Sequence, residues 1–177
     1  MRKIFFLMSL ILSLLPLHGF CSVQNICNVI EKHPGWYHAA KVSQRKWGVP
    51  VAVQMAIIHQ ESHFKADAKN PTSTAFGYAQ AVNEIWHTYK EHVSQVSDTK
   101  QKRNVFADAT NFIGWYAHSM KKQIHISPKN AFDLYLAYHD GGGGYVTDLH
   151  KPHVPTRLLA DEVQSVASEY RSQLASC

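Results

Sequence analysis

The sequence predicts an all-α domain, or an α-dominated α+β one. Three observations carry that prediction. Apolar residues recur three and four positions apart in one stretch after another. Proline and glycine punctuate those stretches where helices start and stop. No run alternates apolar and polar residues as a half-buried strand does, although a short β-hairpin fits between Phe64 and Gly77.

The chain opens on an export signal rather than on fold. Arg2 and Lys3 precede an apolar run from Ile4 to Leu17, and small residues follow at Gly19, Cys21 and Ser22. This is the pattern of a secretory signal peptide over residues 1–21, and the run is too short and wrongly flanked for a stable membrane span. Cleavage is expected after Cys21. Lipidation at Cys21 is the rival, although Phe20 is large for a lipoprotein site. Residues 22–177 are then one domain's worth of chain, able to bury a core. Removing the two cations Arg2 and Lys3 lowers the net charge from +5 to +3. That charge suits an anionic wall polymer and is too small and scattered to point to nucleic acid. Cys27 and Cys177 remain as an even pair at the two ends of the domain, and an oxidising compartment favours a disulfide between them.

The elements follow in order. Ile26 to Lys46 reads as helix with a break at Pro34-Gly35. Gly48 and Pro50 punctuate the start of the next helix, Pro50 to Phe64, in which Val53, Ala56, Ile57 and Phe64 share one face. Asn70-Pro71 marks a loop. Val82 to Val93 and Asn104 to Lys122 both carry apolar residues at helical spacing. Ser127-Pro128 reads as an N-cap and first-turn proline for a helix through Tyr138, which the glycines 141–144 should end. Thr156 to Leu174 is the last helix.

Glu61 is the residue that points to chemistry. It flanks the apolar face of its helix, one turn above Ile57. Apolar surroundings disfavour a charged carboxylate and raise its pKa, which is what a general acid needs near neutral pH. His59 and His63 bracket it and invite a zinc reading. In the order His59-Gln60-Glu61-Ser62-His63, Glu61 lies roughly 160–200° around the helix from both imidazoles, and no third ligand is placed. No metal site is read. No G-x-S-x-G elbow is present, and the glycine run follows a helix rather than a strand, so neither a serine nucleophile nor a nucleotide cofactor is expected.

Three segments remain: Glu61-Ser62, then Ala75-Phe76-Gly77-Tyr78-Ala79-Gln80, then Ala137-Tyr138-His139-Asp140-Gly141. Over residues 36–175 the chain resembles the soluble lytic transglycosylase domains of the lysozyme superfamily. That family carries a Glu-Ser pair ending a helix, a Gly-Leu-Met-Gln-like turn and an Ala-Tyr-Asn-x-Gly segment. The resemblance implies a lysozyme-like helical fold and no cofactor. It makes Glu61 the catalytic acid/base and Ser62 a residue that helps orient the site. Gly77 and Gln80 would line the glycan groove, and the Tyr138 hydroxyl would approach the catalytic Glu. Gly141 would let backbone pass close to the sugar. Tyr78-Ala79 replaces Leu-Met, which leaves Tyr78 to stack on a sugar, and His139 replaces Asn.

Ordinary glycosidases use two carboxylates, and neither Asp67 nor Asp140 is placed by a motif as the second. The implied reaction needs only one. Glu61 protonates the bond between N-acetylmuramic acid and N-acetylglucosamine, and the muramoyl 6-hydroxyl closes to a 1,6-anhydro sugar. Peptidoglycan strands are the implied partner and the periplasm the implied location. Service to a secretion, pilus or conjugation apparatus follows by family analogy. A hydrolase on the same fold and a non-catalytic wall-binding component are the alternatives.

Overall fold

The computed structural model describes residues 23–94 and 101–177. The expected leader over residues 1–21, with its cleavage or lipidation at Cys21, lies outside the described residues. Seven helices make up the described chain: α1 (Ile26–Lys32), α2 (Pro34–Trp47), α3 (Val51–Ser62), α4 (Asn83–Ser94), α5 (Phe106–Ile124), α6 (Ala131–His150) and α7 (Val154–Leu174). The fold is all-α. Where the sequence allowed a hairpin, only isolated bridge pairs form, Lys69 with Phe76 and Phe76 with Ala81. None of the described helices is long and apolar enough to cross a membrane.

Local chemistry explains the first boundaries. The Asn25 side chain accepts from the Cys27 N–H at the start of α1, and Pro34 occupies the first turn of α2, where its missing N–H costs nothing. Gly48 then ends α2 with a φ of 85°, a left-handed cap that glycine adopts without strain. Pro50 cannot cap α3 with a side chain, and the Gln44 amide oxygen instead accepts from the Val51 N–H at 2.9 Å.

α3 differs from its expected one-sided pattern. Every residue from Val51 to Ile58 is buried, so the helix is apolar all round. It runs through the interior, packed against α7, α2 and α5. Met55, Ile57 and Ile58 are fully buried, each contributing about 1.5–3 kcal/mol. Even Gln54 is enclosed, its amide nitrogen donating to the Ala40 and Val49 carbonyls. This central helix carries Glu61 in its last turn.

α6 departs twice from the sequence reading. Its N-cap is Asn130, which accepts from the Asp133 N–H, and not Ser127. The glycine run does not end it either. Gly141 breaks the helix with φ 74° and ψ 167°, and the chain then resumes helix to His150. Gly142 sits where α6 crosses α5, since a Cβ there would stand 3.2 Å from Met120 Sδ. The Cys27–Cys177 disulfide forms, with Cα atoms 5.9 Å apart, tying α1 to the chain end beyond α7. Closing so long a loop is worth about 2–4 kcal/mol in the chain-entropy account.

Candidate active site

Glu61 is partly exposed at the end of the buried helix α3. Burial pushes its pKa up to about 7. Two neighbours on α6 oppose that shift without overcoming it: the Tyr135 hydroxyl, which hydrogen-bonds the carboxyl, and the charge of His139. At neutral pH the carboxyl is therefore protonated in a large share of molecules.

The tyrosine on the carboxyl is not the expected one. Tyr138 donates its hydroxyl to the Ala79 carbonyl at 2.6 Å. Its ring still feels the Glu61 charge, and burial raises its hydroxyl well above the usual range. Tyr135, three residues earlier and fully packed, takes the place at Glu61. Nothing in the sequence distinguished the two tyrosines, because both sit on the same helix and their facing depends on how α6 packs. His139 follows one turn after Tyr135, with ring centroids 6.1 Å apart, and its Nδ1 lies 2.7 Å from Asp140 Oδ1. In the turn before the Gly141 break, helical carbonyls are short of donors. The Tyr116 hydroxyl donates to that of Ala137 at 2.5 Å.

Gly141 is required for a different reason than expected. A Cβ there would meet nothing within 4 Å. Its φ and ψ lie in a region that essentially only glycine occupies, so the requirement is the bend itself.

The loop of residues 63–82 leads away from Glu61 and is held by its own backbone. His63 and Phe64 both have positive φ, 49° and 61°, which turns the chain sharply off α3. Gly77 has φ 80°, and a Cβ there would overlap the Arg103 carbonyl. That carbonyl accepts from the Tyr78 N–H at 3.2 Å. Gln80 places both hydrogens of its amide nitrogen inside the loop, on the Ala68 and Gly77 carbonyls at 2.9 and 2.8 Å, which leaves only its amide oxygen for a ligand. Arg103 completes the fastening through the Thr74 and Ala81 carbonyls. No motif singled out Arg103; its role comes from a contact more than twenty residues away in sequence.

Two further expectations change. Tyr78 is 8% exposed and packs edge-on against Trp36 and Phe106, with centroids 5.4 and 5.2 Å away, so it is a core aromatic and not a sugar platform. Ser62 is buried and donates to the Ile58 carbonyl one turn back at 3.0 Å, so its hydroxyl supports the helix end. His59 and His63 stand with ring centroids 5.1 Å apart, His63 already outside the helix. Among the described residues no group of three or more His, Cys, Asp or Glu is placed to hold a metal ion. A cavity of about 540 Å³ between α4 and Arg103 and one of about 410 Å³ beside the disulfide both lie away from Glu61.

A buried-helix glutamate, an aromatic hydroxyl on it and a tightly fastened glycine turn thus meet in one all-α domain. Residues 7–177 match the family model described as Transglycosylase SLT domain. The chain belongs to that family. No curated protein matches it. The SLT domain places the chain in the lysozyme-like superfamily, and membership implies glycan-cleaving transglycosylase activity with peptidoglycan as substrate. Within this SLT domain, the carboxyl of Glu61 can donate a proton and the Tyr135 hydroxyl can stabilise the carboxylate left behind.

Proposed function

We propose that this protein is an exported, periplasmic lytic transglycosylase whose single acid/base is Glu61. Residues 1–21 act as its leader and residues 22–177 as its catalytic domain. The observation that carries the reading is the Glu61 carboxyl, raised to about 7 by burial and touched by the Tyr135 hydroxyl.

The chemistry follows from that state. Protonated Glu61 donates to the glycosidic oxygen between N-acetylmuramic acid and N-acetylglucosamine. The bond breaks and leaves an oxocarbenium-like sugar. Glu61 is now a carboxylate, and the Tyr135 hydrogen bond lowers the cost of that charge in an apolar surround. The muramoyl 6-hydroxyl attacks the anomeric carbon, its proton returns to Glu61, and a 1,6-anhydro end forms without water. A small domain of this kind suits local opening of the wall for a secretion, pilus or conjugation machine.

Zymography of the mature chain on peptidoglycan tests the reading. Glu61→Gln should lower clearing by at least about 100-fold. Mass spectrometry of the wild-type products should give anhydro-muropeptides; reducing ends would make it a hydrolase, and clearing by Glu61→Gln equal to wild type would remove Glu61 from the mechanism.

A further inference from the structure

The tip of the hairpin formed by α6 and α7 carries side chains that no step of the cleavage uses. Among the described residues, the large apolar side chains left exposed are Val42, Val105 and four in this hairpin: Val146 at 42%, Leu149 at 57%, Val154 at 62% and Leu158 at 64%. A single exposed valine such as Val42 is ordinary surface, whereas four such side chains at one tip form a patch. Helix α6 ends at His150 and α7 begins at Val154. At 1.5 Å per residue, all four therefore lie within about 6 Å of a helix end at the tip. Lys151 to Pro155, which join the helices and open α7, are exposed throughout. The tip is pinned in place. Buried Asp148 accepts from the His153 N–H at 2.5 Å and from the Arg157 guanidinium at 2.6 Å, and Pro152 and Pro155 restrict the turn. Asp148 is the only acid from Gly141 to Ala160, so its pairing leaves no free carboxylate on the tip. Lys151 has no carboxylate partner among the described residues.

We propose that this tip is a membrane-contact site, which enters the headgroup layer of an anionic phospholipid bilayer end-on. Three features of the tip select a lipid surface. Its apolar zone is about 6 Å deep, and peripheral elements bury their apolar side chains about 5–10 Å into that layer. Its free charge is positive, the sign that anionic headgroups attract. Its size is wrong for a protein partner: a stable interface uses about 20–30 residues a side, and the tip offers four apolar side chains and one free cation. A second copy fits no better, because tip-to-tip pairing about a two-fold axis would set Lys151 against Lys151 with no free acid between them. The contact is independent of the role given to Glu61. It adds a place of work to that role, with the domain held where the wall lies next to a membrane.

Co-sedimentation with vesicles tests the site, using the mature chain with its disulfide intact. Vesicles of phosphatidylglycerol and phosphatidylethanolamine should carry the protein down, and vesicles of phosphatidylcholine alone should hold it about fivefold more weakly. Leu149→Ser together with Leu158→Ser should weaken binding to the anionic vesicles about tenfold. Lys151→Glu should weaken it about tenfold as well. Val42→Ser, on α2, should leave it unchanged. These side chains are all exposed, so urea midpoints should stay at the wild-type value and cleavage of dispersed peptidoglycan within about twofold. Val146→Ser with Val154→Ser repeats the comparison if the leucine variant melts early. No sedimentation with anionic vesicles overturns the proposal. Binding that the apolar substitutions leave unmoved overturns it too, since that is adsorption by charge without insertion. Self-association that the leucine variant abolishes, with no vesicle binding, replaces the membrane by a second copy. Vesicle binding is read without any cleavage. A protein that binds vesicles and leaves peptidoglycan intact loses the transglycosylase reading alone, and one that cuts without binding loses the membrane contact alone.

Discussion

Two regions adjoin the Glu61 helix end, the loop that follows it and helix α6, and they are built by opposite means. The loop of residues 63–82 is held by backbone: Gly77 against the Arg103 carbonyl, Gln80 on two loop carbonyls, Arg103 on two more. The α6 wall offers side chains, with Tyr135 on the carboxyl and His139 paired to Asp140. The motif residues of the loop turn out to shape the chain, while the groups that act on the Glu61 carboxyl sit on α6. Tyr138 joins the walls by donating to the Ala79 carbonyl. A family motif can therefore mark the rigid frame of a site as readily as its reacting groups.

That contrast can be broken from either side. The largest effect is expected at the frame. Gly77→Ala puts a Cβ onto the Arg103 carbonyl at a φ of 80°, and should cost about 4 kcal/mol in denaturant unfolding. Stability near wild type would show that the loop yields and is not the rigid wall.

Next comes the cost of keeping Glu61 where it is. Its pKa is raised from 4.5 to about 7, so the folded state prefers the protonated form. The stability this group supports is fully present below 4.5 and is lost as pH rises through about 7. Glu61→Gln should accordingly be more stable than wild type by up to about 3 kcal/mol at pH values above that window. The difference should vanish in acid. Equal urea midpoints across the whole range would mean that the carboxyl is not held in an apolar surround.

The α6 wall gives the third effect. Tyr135→Phe removes a hydrogen bond that favours the carboxylate, so the Glu61 pKa should climb further. The alkaline fall of activity should move to higher pH, and kcat should drop about tenfold. A fall that stays in place would detach Tyr135 from the carboxyl. The smallest effect is expected at Tyr78, where Tyr78→Phe keeps the packing on Trp36 and Phe106. Cleavage should stay within about twofold, because the packed ring is kept and only the hydroxyl is lost; a large loss in kcat/KM would restore Tyr78 to the sugar.

Much of the frame was legible along the chain. Pro34, Gly48 and Pro50 mark helix boundaries because each acts on its own backbone. The cysteines at the two ends of the domain pair as the compartment argument expects. The misreadings share a cause. Helix α3 was read as one-sided, yet it is enclosed by α2, α5 and α7, and enclosure is a property of neighbours. The glycines after Asp140 were read as an end. One of them bends α6 and another lets it lie against Met120 of α5.

Period, caps and three short motifs, all local to the chain, were enough for the all-α fold, the family and a glutamate with a raised pKa. They were not enough to say which tyrosine meets that glutamate. Tyr135 and Tyr138 differ by about 60° around one helix. The choice between them is made by the angle at which α6 lies on α5 and α7. That angle depends on packing between separate helices, and no local pattern carries it.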